Sequence, residues 1–256
     1  MDRHTFRHDG LRLSYLDSGG EGTVLIALHA HIMEAVTFAP LAEELAPNWR
    51  IIALDQRGHG HSDHAPSYTR DNYIGDLESL FEHLSLTDAV LLGNSLGGVN
   101  AYQFAARHPG KVRGLIIEDI GVEIGVDDLS FVLGWDGEFP SQEALAKSVG
   151  SYFLPYLKDA FRDTPTGWKL AFDPHDIVKS GKCMAGDYWQ DWLATQCPAL
   201  LLRGRDSKVT NQTVAEQMTS RRPNTRLETL DGGHILHFDN PTGFTTAVLE
   251  FLLQFE

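Results

Sequence analysis

Five short runs of continuous apolar residues recur along this chain: Val24–Leu28, Ile51–Leu54, Ala89–Leu92, Leu115–Ile117 and Ala199–Leu202. Runs of that length, free of polar alternation, are the pattern of strands covered on both faces. Leu11 to Asp17 alternates apolar and polar residues, as a half-buried strand does, and Arg226–Leu230 reads as the last strand. Helical patterns separate them around Phe38–Leu45, Tyr73–Leu84, Val99–Arg107 and Gln212–Thr219. A final helix follows Pro241, with Phe244, Val248, Phe251 and Leu252 at helical spacing. Strand and helix in alternation imply an α/β fold, a mostly parallel sheet with helices on both faces.

At 256 residues the chain suits one large domain, or one domain carrying an inserted lobe. One stretch breaks the alternation. From Gly121 to Trp192 no convincing buried strand occurs, yet this stretch holds Trp135, Trp168, Trp189 and Trp192, four of the chain's five tryptophans. The expectation is a helical cap over 121–192, inserted into a core made of 1–120 and 193–256. Some of its aromatic residues should line a pocket between the two lobes.

The formal net charge of -14 weighs against a nucleic-acid partner, because phosphate binding needs a basic stripe. It weighs equally against docking on anionic lipid. No run reaches 18 apolar residues, so no transmembrane helix is expected. The opening Met1-Asp2-Arg3-His4-Thr5 has no apolar signal core. The two cysteines, Cys183 and Cys197, read as free thiols of a reducing compartment. A cytoplasmic protein acting on a small molecule is expected, with no membrane and no nucleic acid as partner.

Gly93-Asn94-Ser95-Leu96-Gly97-Gly98 follows a buried strand and opens a helix, the context that a G-x-S-x-G nucleophile turn requires. A serine on a sharp strand-to-helix turn has strained dihedrals, and glycines at 93 and 97 remove side chains that would collide. Ser95 would then project its hydroxyl at the carboxyl edge of the sheet. The N–H of Leu96 would point at the same spot from a helix N-terminus, where a developing oxyanion is favoured. A serine hydroxyl needs a base at neutral pH. Among the 12 histidines, His234 in Asp231-Gly232-Gly233-His234 lies on a loop after the last strand, at the same edge. His237 is its nearest rival, expected on or near the surface.

These motifs, in this order, resemble the α/β-hydrolase superfamily over nearly the whole chain. Leu28-His29-Ala30-His31 is similar to the family's His-Gly-x oxyanion loop, and Asp55-Gln56-Arg57-Gly58-His59-Gly60-His61-Ser62-Asp63 to its D-x-R-G-x-G-x-S turn. The resemblance implies an eight-stranded, mostly parallel sheet with a cap, and a second oxyanion donor in the N–H of His31. It also implies a serine hydrolase acting through an acyl-enzyme on a carboxylic ester or lactone, without cofactor or metal. Haloalkane dehalogenases and epoxide hydrolases of this fold carry Asp where Ser95 stands. A carbon–carbon hydrolase of vinylogous diketones, suggested by Asn94 before the serine, a thioesterase or acyltransferase, and a non-enzymatic receptor are the alternatives. His29 and Asn94 within the motifs, Glu34 shortly after the first of them, and Trp135 of the aromatic-rich insertion are expected at the substrate pocket. Glu34 has a second reading as a helix cap.

The third member of the triad has two candidates. By the resemblance the acid ordinarily stands three residues after Gly204, where this chain has Ser207; Asp206 is one residue early. Asp119, after the strand Gly114–Glu118, matches the position that some members of the fold use instead, with Glu118 on the strand facing the other way. Asp119 is the favoured acid and Asp206 the alternative. One further pattern points elsewhere: His59-Gly60-His61-Ser62-Asp63-His64 spells the H-x-H-x-D-H of dinuclear zinc hydrolases. Its position inside the hydrolase-like turn, in a chain of alternating strands and helices, disfavours metal catalysis.

Overall fold

A computed structural model describes residues 1–126 and 129–255. Its strands, in chain order, are β1 (Asp2–His8), β2 (Leu11–Asp17), β3 (Thr23–Leu28), β4 (Trp49–Asp55), β5 (Ala89–Asn94), β6 (Val112–Glu118), β7 (Glu123–Ile124), β8 (Phe161–Thr164), β9 (Gly167–Leu170), β10 (Gly186–Asp187), β11 (Ala199–Gly204) and β12 (Thr225–Leu230). Its α-helices are α1 (Ala39–Leu45), α2 (Arg70–His83), α3 (Leu96–Arg107), α4 (Gln142–Leu157), α5 (Pro174–Met184), α6 (Trp189–Leu193), α7 (Gln212–Arg221), α8 (Leu236–Asp239) and α9 (Pro241–Leu252). Eight strands form one sheet in the order β1-β2-β4-β3-β5-β6-β11-β12. β1 and β2 run antiparallel at one edge, and the strands from β4 to β12 are parallel.

The apolar runs explain why the sheet is covered twice. In β5, Ala89 and Leu91 enter one core with Tyr73, Leu77 and Phe81 of α2 and Val99 and Phe104 of α3. Val90 and Leu92 enter the other, with Leu41 and Leu45 of α1 and Phe244, Val248 and Phe251 of α9. Successive strand side chains face opposite ways, so a central strand must be apolar throughout. Strand β1, missing from the sequence reading, is an edge strand with Phe6 as its one buried residue. Its polar residues conceal the period.

The strand order also decides where a ligand can enter. β3 has β4 on one side and β5 on the other, so the connections leave it in opposite directions. That switch opens a crevice beyond the carboxyl ends of the strands. β5, β6, β11 and β12 are consecutive neighbours, so the loops after them share that edge.

Residues 121–192 differ in part from the expectation of helices alone. β7 pairs with β10, and β8 with β9, as two small antiparallel pieces. Short strands with little buried surface leave no apolar run to read. α4 is interrupted at Gly150 (φ 80°, ψ 160°) and carries Pro155. Val132, Trp135, Leu145, Val149, Leu157, Phe172 and Ile177 form a separate small core. Among the described residues, no helix is long and apolar enough to cross a membrane.

Candidate active site

Ser95 stands between β5 and α3 with φ 51° and ψ −114°, a conformation that non-glycine residues rarely hold. Both elements are held around it: its N–H donates to Glu118 O of β6 at 3.1 Å, and its carbonyl accepts from Val99 N. A Cβ on Gly93 would collide with the carbonyl of Gly97, and one on Gly97 with that of Leu28. The turn therefore needs glycine at both positions. Leu96 is the first residue of α3, so its N–H has no acceptor within the helix. After β3, the 30–33 loop carries Ile32 at φ 64°, unusual for a β-branched residue, and the N–H of His31 enters none of the loop's backbone hydrogen bonds.

His234 follows β12, and its Nδ1 lies 2.8 Å from Asp119 Oδ2. Asp119 is fully buried at the end of β6, with φ 48°. Its other oxygen accepts from Gly204 N at 3.1 Å, and Oδ2 also accepts from the Ser207 hydroxyl. Ser207, at the place where the resemblance puts an acid, thus serves as a hydrogen-bond donor to the carboxylate that faces His234. Asp206 is exposed, and its N–H donates to Gly232 O. Ser95, His234, His31 and Ile235 open into one cavity of about 500 Å³. Its far walls are Ile124, Leu129, Phe131, Tyr152, Phe153 and Met184 from the 121–192 segment, with Lys208 and Glu123 as charged lining.

Four residues expected at the pocket lie behind its wall. His29 is fully buried: its Nδ1–H donates to Ala30 O at 2.7 Å and its Nε2 accepts from Gln56 N at 3.0 Å. Asn94 is also fully buried, and its Nδ2 donates to Glu118 O and His234 O, lacing β5 to β6 and to the histidine loop. Trp135 packs in the small core of the 121–192 segment, while its neighbours Phe131 and Phe153 reach the cavity. Glu34 makes no helix-capping hydrogen bond; it forms an ion pair with Arg162 of β8 at 2.5 Å and lines a separate, much smaller cleft with Thr37. Periodicity reports burial, not which lobe does the burying. The residues that sequence reasoning missed, Tyr152, Met184, Lys208 and Ile235, carry no motif.

The four side chains of the H-x-H-x-D-H stretch do not converge. His59 is buried with Nδ1 on Arg57 O, Asp63 accepts from Arg12, and His64 faces Asp176. Among the described residues, His64, Asp173 and Asp176 form the one group whose ligand atoms lie within 4.8 Å of each other. Lys179 already pairs with Asp176 there.

His29, His31 and His59 form a buried cluster, with ring centroids 5.1 Å apart for His29–His59 and 6.1 Å for His31–His59. Burial pushes His29 down to about 4, His59 down to about 3, and His31 well below its ordinary range. Each contributes stability that is full above the unfolded histidine value of about 6.5 and lost as pH falls toward the folded value. Burial acts in the opposite direction on Glu34, raising it to about 7 despite Arg162. Its contribution is full below about 4.5 and lost as pH rises toward 7. Three histidines outweigh one glutamate, so unfolding free energy is expected to fall by about 3 kcal/mol per pH unit between pH 6 and 5. Urea unfolding at pH 7, 6 and 5 checks this, and a flat or inverted dependence contradicts it.

The family is settled by comparison. A model described as alpha/beta hydrolase fold matches residues 23–241, and the chain belongs to that family of hydrolases. A 2-(acetamidomethylene)succinate hydrolase from Mesorhizobium japonicum is 24% identical, covering 91% of this chain and 89% of that one. An sn-1-specific diacylglycerol lipase from Mus musculus is 26% identical, covering 94% of this chain and 85% of that one. The crystal structure of an E-2-(acetamidomethylene)succinate hydrolase has a TM-score of 0.88 at 22% identity, covering 98% of this chain and 99% of that one, and attests the fold.

Proposed function

We propose that this hydrolase cleaves a carboxylic ester or lactone of a small apolar substrate through a Ser95-acyl intermediate. The observation that carries the reading is the 2.8 Å contact of His234 Nδ1 with buried Asp119, in a histidine that shares its cavity with Ser95. With Nδ1–H donated to the carboxylate, Nε2 is left unprotonated and able to accept the Ser95 proton. The Ser95 oxygen then attacks the substrate carbonyl. The negative charge that forms on the carbonyl oxygen meets the N–H groups of Leu96 and His31. Collapse expels the alcohol, which takes the proton from His234. Water, deprotonated by the same Nε2, releases the acid and restores the serine.

Residues 121–192 act in this scheme as a cap whose Phe131, Tyr152, Phe153 and Met184 give the acyl group an apolar wall. The similarity to a lipase favours ester chemistry. A series of p-nitrophenyl esters of increasing acyl length, run beside lactones and a ring-fission diketone, tests the reading. Short and medium apolar esters or lactones are expected to turn over at about 1 s⁻¹ or faster. Preference for the diketone overturns the ester assignment, and preference for long or highly charged acyl groups overturns the apolar pocket.

A further inference from the structure

A second buried chain of hydrogen bonds runs beside the one that ends at His234. Glu118 is the last residue of β6, adjacent to Asp119, with its carboxylate directed to the opposite side and fully buried. It accepts from His237 twice: from the backbone N–H at 3.0 Å and from ring Nδ1 at 2.8 Å. His237, expected at the surface, has a side chain only 4% exposed. Its ring stacks on Phe38 at 5.0 Å, and its Nε2 lies 2.8 Å from Thr37 Oγ1. Because Nδ1–H donates to the carboxylate, Nε2 accepts from the Thr37 hydroxyl, and every ring nitrogen is used.

The backbone of Glu118 is engaged as well. Its carbonyl accepts from the N–H of Ser95 at 3.1 Å and from Asn94 Nδ2 at 3.1 Å. Asn94 Nδ2 also reaches the carbonyl of His234. One residue therefore holds the nucleophile through its carbonyl, holds the helix after the histidine loop through its carboxylate, and precedes Asp119. Among the described residues, Glu118 and His237 form an ion pair with each other and with no third side chain, and neither lines the cavity.

We propose that Glu118, acting through His237 and Thr37, is the positioning residue that sets His234 against Ser95. The proposal rests on the Ser95–His234–Asp119 reading. The α8 helix begins two residues after His234, and its second residue is clamped to the same strand end that carries Asp119. Releasing the clamp lets the His234 loop drift, while the cavity wall formed by Phe131, Phe153 and Met184 of the 121–192 segment keeps its own contacts. A displacement of about 1 Å at the base can cost about 100-fold in rate. Proton transfer suffers, and ground-state binding does not.

The test compares Glu118→Ala, Glu118→Gln and His237→Phe with the parent enzyme, with kcat expressed per serine titrated by a fluorophosphonate. Titration restricts the rate to folded, reactive sites. His237→Phe keeps a ring between Phe38 and Phe244 and loses the ring hydrogen bonds, so it remains readable if Glu118→Ala fails to fold. The expected result is a fall in kcat of about 100-fold for Glu118→Ala and about tenfold or more for His237→Phe, with KM unchanged. Glu118→Gln keeps an oxygen for the His237 N–H and should recover part of the loss. Unchanged kcat per site in His237→Phe, or a change confined to KM, overturns the proposal. If Ser95→Ala remains active, the triad reading fails instead, and the two failures are distinct.

Discussion

Ser95→Ala is expected to lower kcat by about four to six orders of magnitude and to leave the fold intact. The fold survives because alanine keeps the Cβ and loses a single oxygen from a side chain at the cavity wall. Turnover does not survive, because among the described residues no other hydroxyl lines the cavity with His234 except the phenols of Tyr152 and Tyr156 on the α4 side. Tyr156 donates its hydroxyl to Asp239, so that proton is already engaged. A serine-directed phosphonate should label one residue and leave the alanine variant unlabelled. Labelling elsewhere, or a fully active variant, removes Ser95 from the chemistry. The strained φ of 51° supplies an independent check. Ser95→Gly relieves a left-handed backbone that costs about 1 to 3 kcal/mol, so it should be inactive yet more resistant to urea than Ser95→Ala.

The sequence motifs were informative wherever backbone geometry restricts residue choice. Gly93 and Gly97 are required by carbonyls that approach too closely for any Cβ, so the turn that bears Ser95 was legible. The central strands were legible because both of their faces are buried. Legibility ends where a side chain's environment comes from residues distant in sequence. His237 reads as a surface residue from its neighbours, and only the meeting of α8 with the end of β6 buries it against Glu118. Trp135 and Phe131 lie on one short helical segment, yet the former fills the segment's own core while the latter faces the cavity. Glu34 finds Arg162 across 128 residues of chain, a pairing that no local pattern encodes.

The choice between two acids was open for the same reason, and a pair of amide variants decides it in function. Asp119 accepts three donors on two oxygens: Gly204 N on Oδ1, and the Ser207 hydroxyl with His234 Nδ1 on Oδ2. Asparagine has one acceptor oxygen for that task. If the oxygen stays on Gly204, the amide NH₂ faces His234 and forces Nδ1 to accept, which moves the ring proton to Nε2. A protonated Nε2 cannot take the proton of Ser95. If the amide flips, NH₂ faces the N–H of Gly204 in a fully buried site, and the unmade hydrogen bond costs about 1 to 3 kcal/mol. Either orientation harms the enzyme, and the first is the cheaper because the Ser207 hydroxyl can rotate to accept. Asp119→Asn is therefore expected to lower kcat by about three to four orders of magnitude. Asp206 lies exposed and enters the loop through its backbone N–H, which Asp206→Asn retains, so that variant should turn over close to the parent rate. Steady-state kinetics of both variants on one ester provides the measurement. The reverse ranking would transfer the role to Asp206 and require its loop to move toward His234 during turnover.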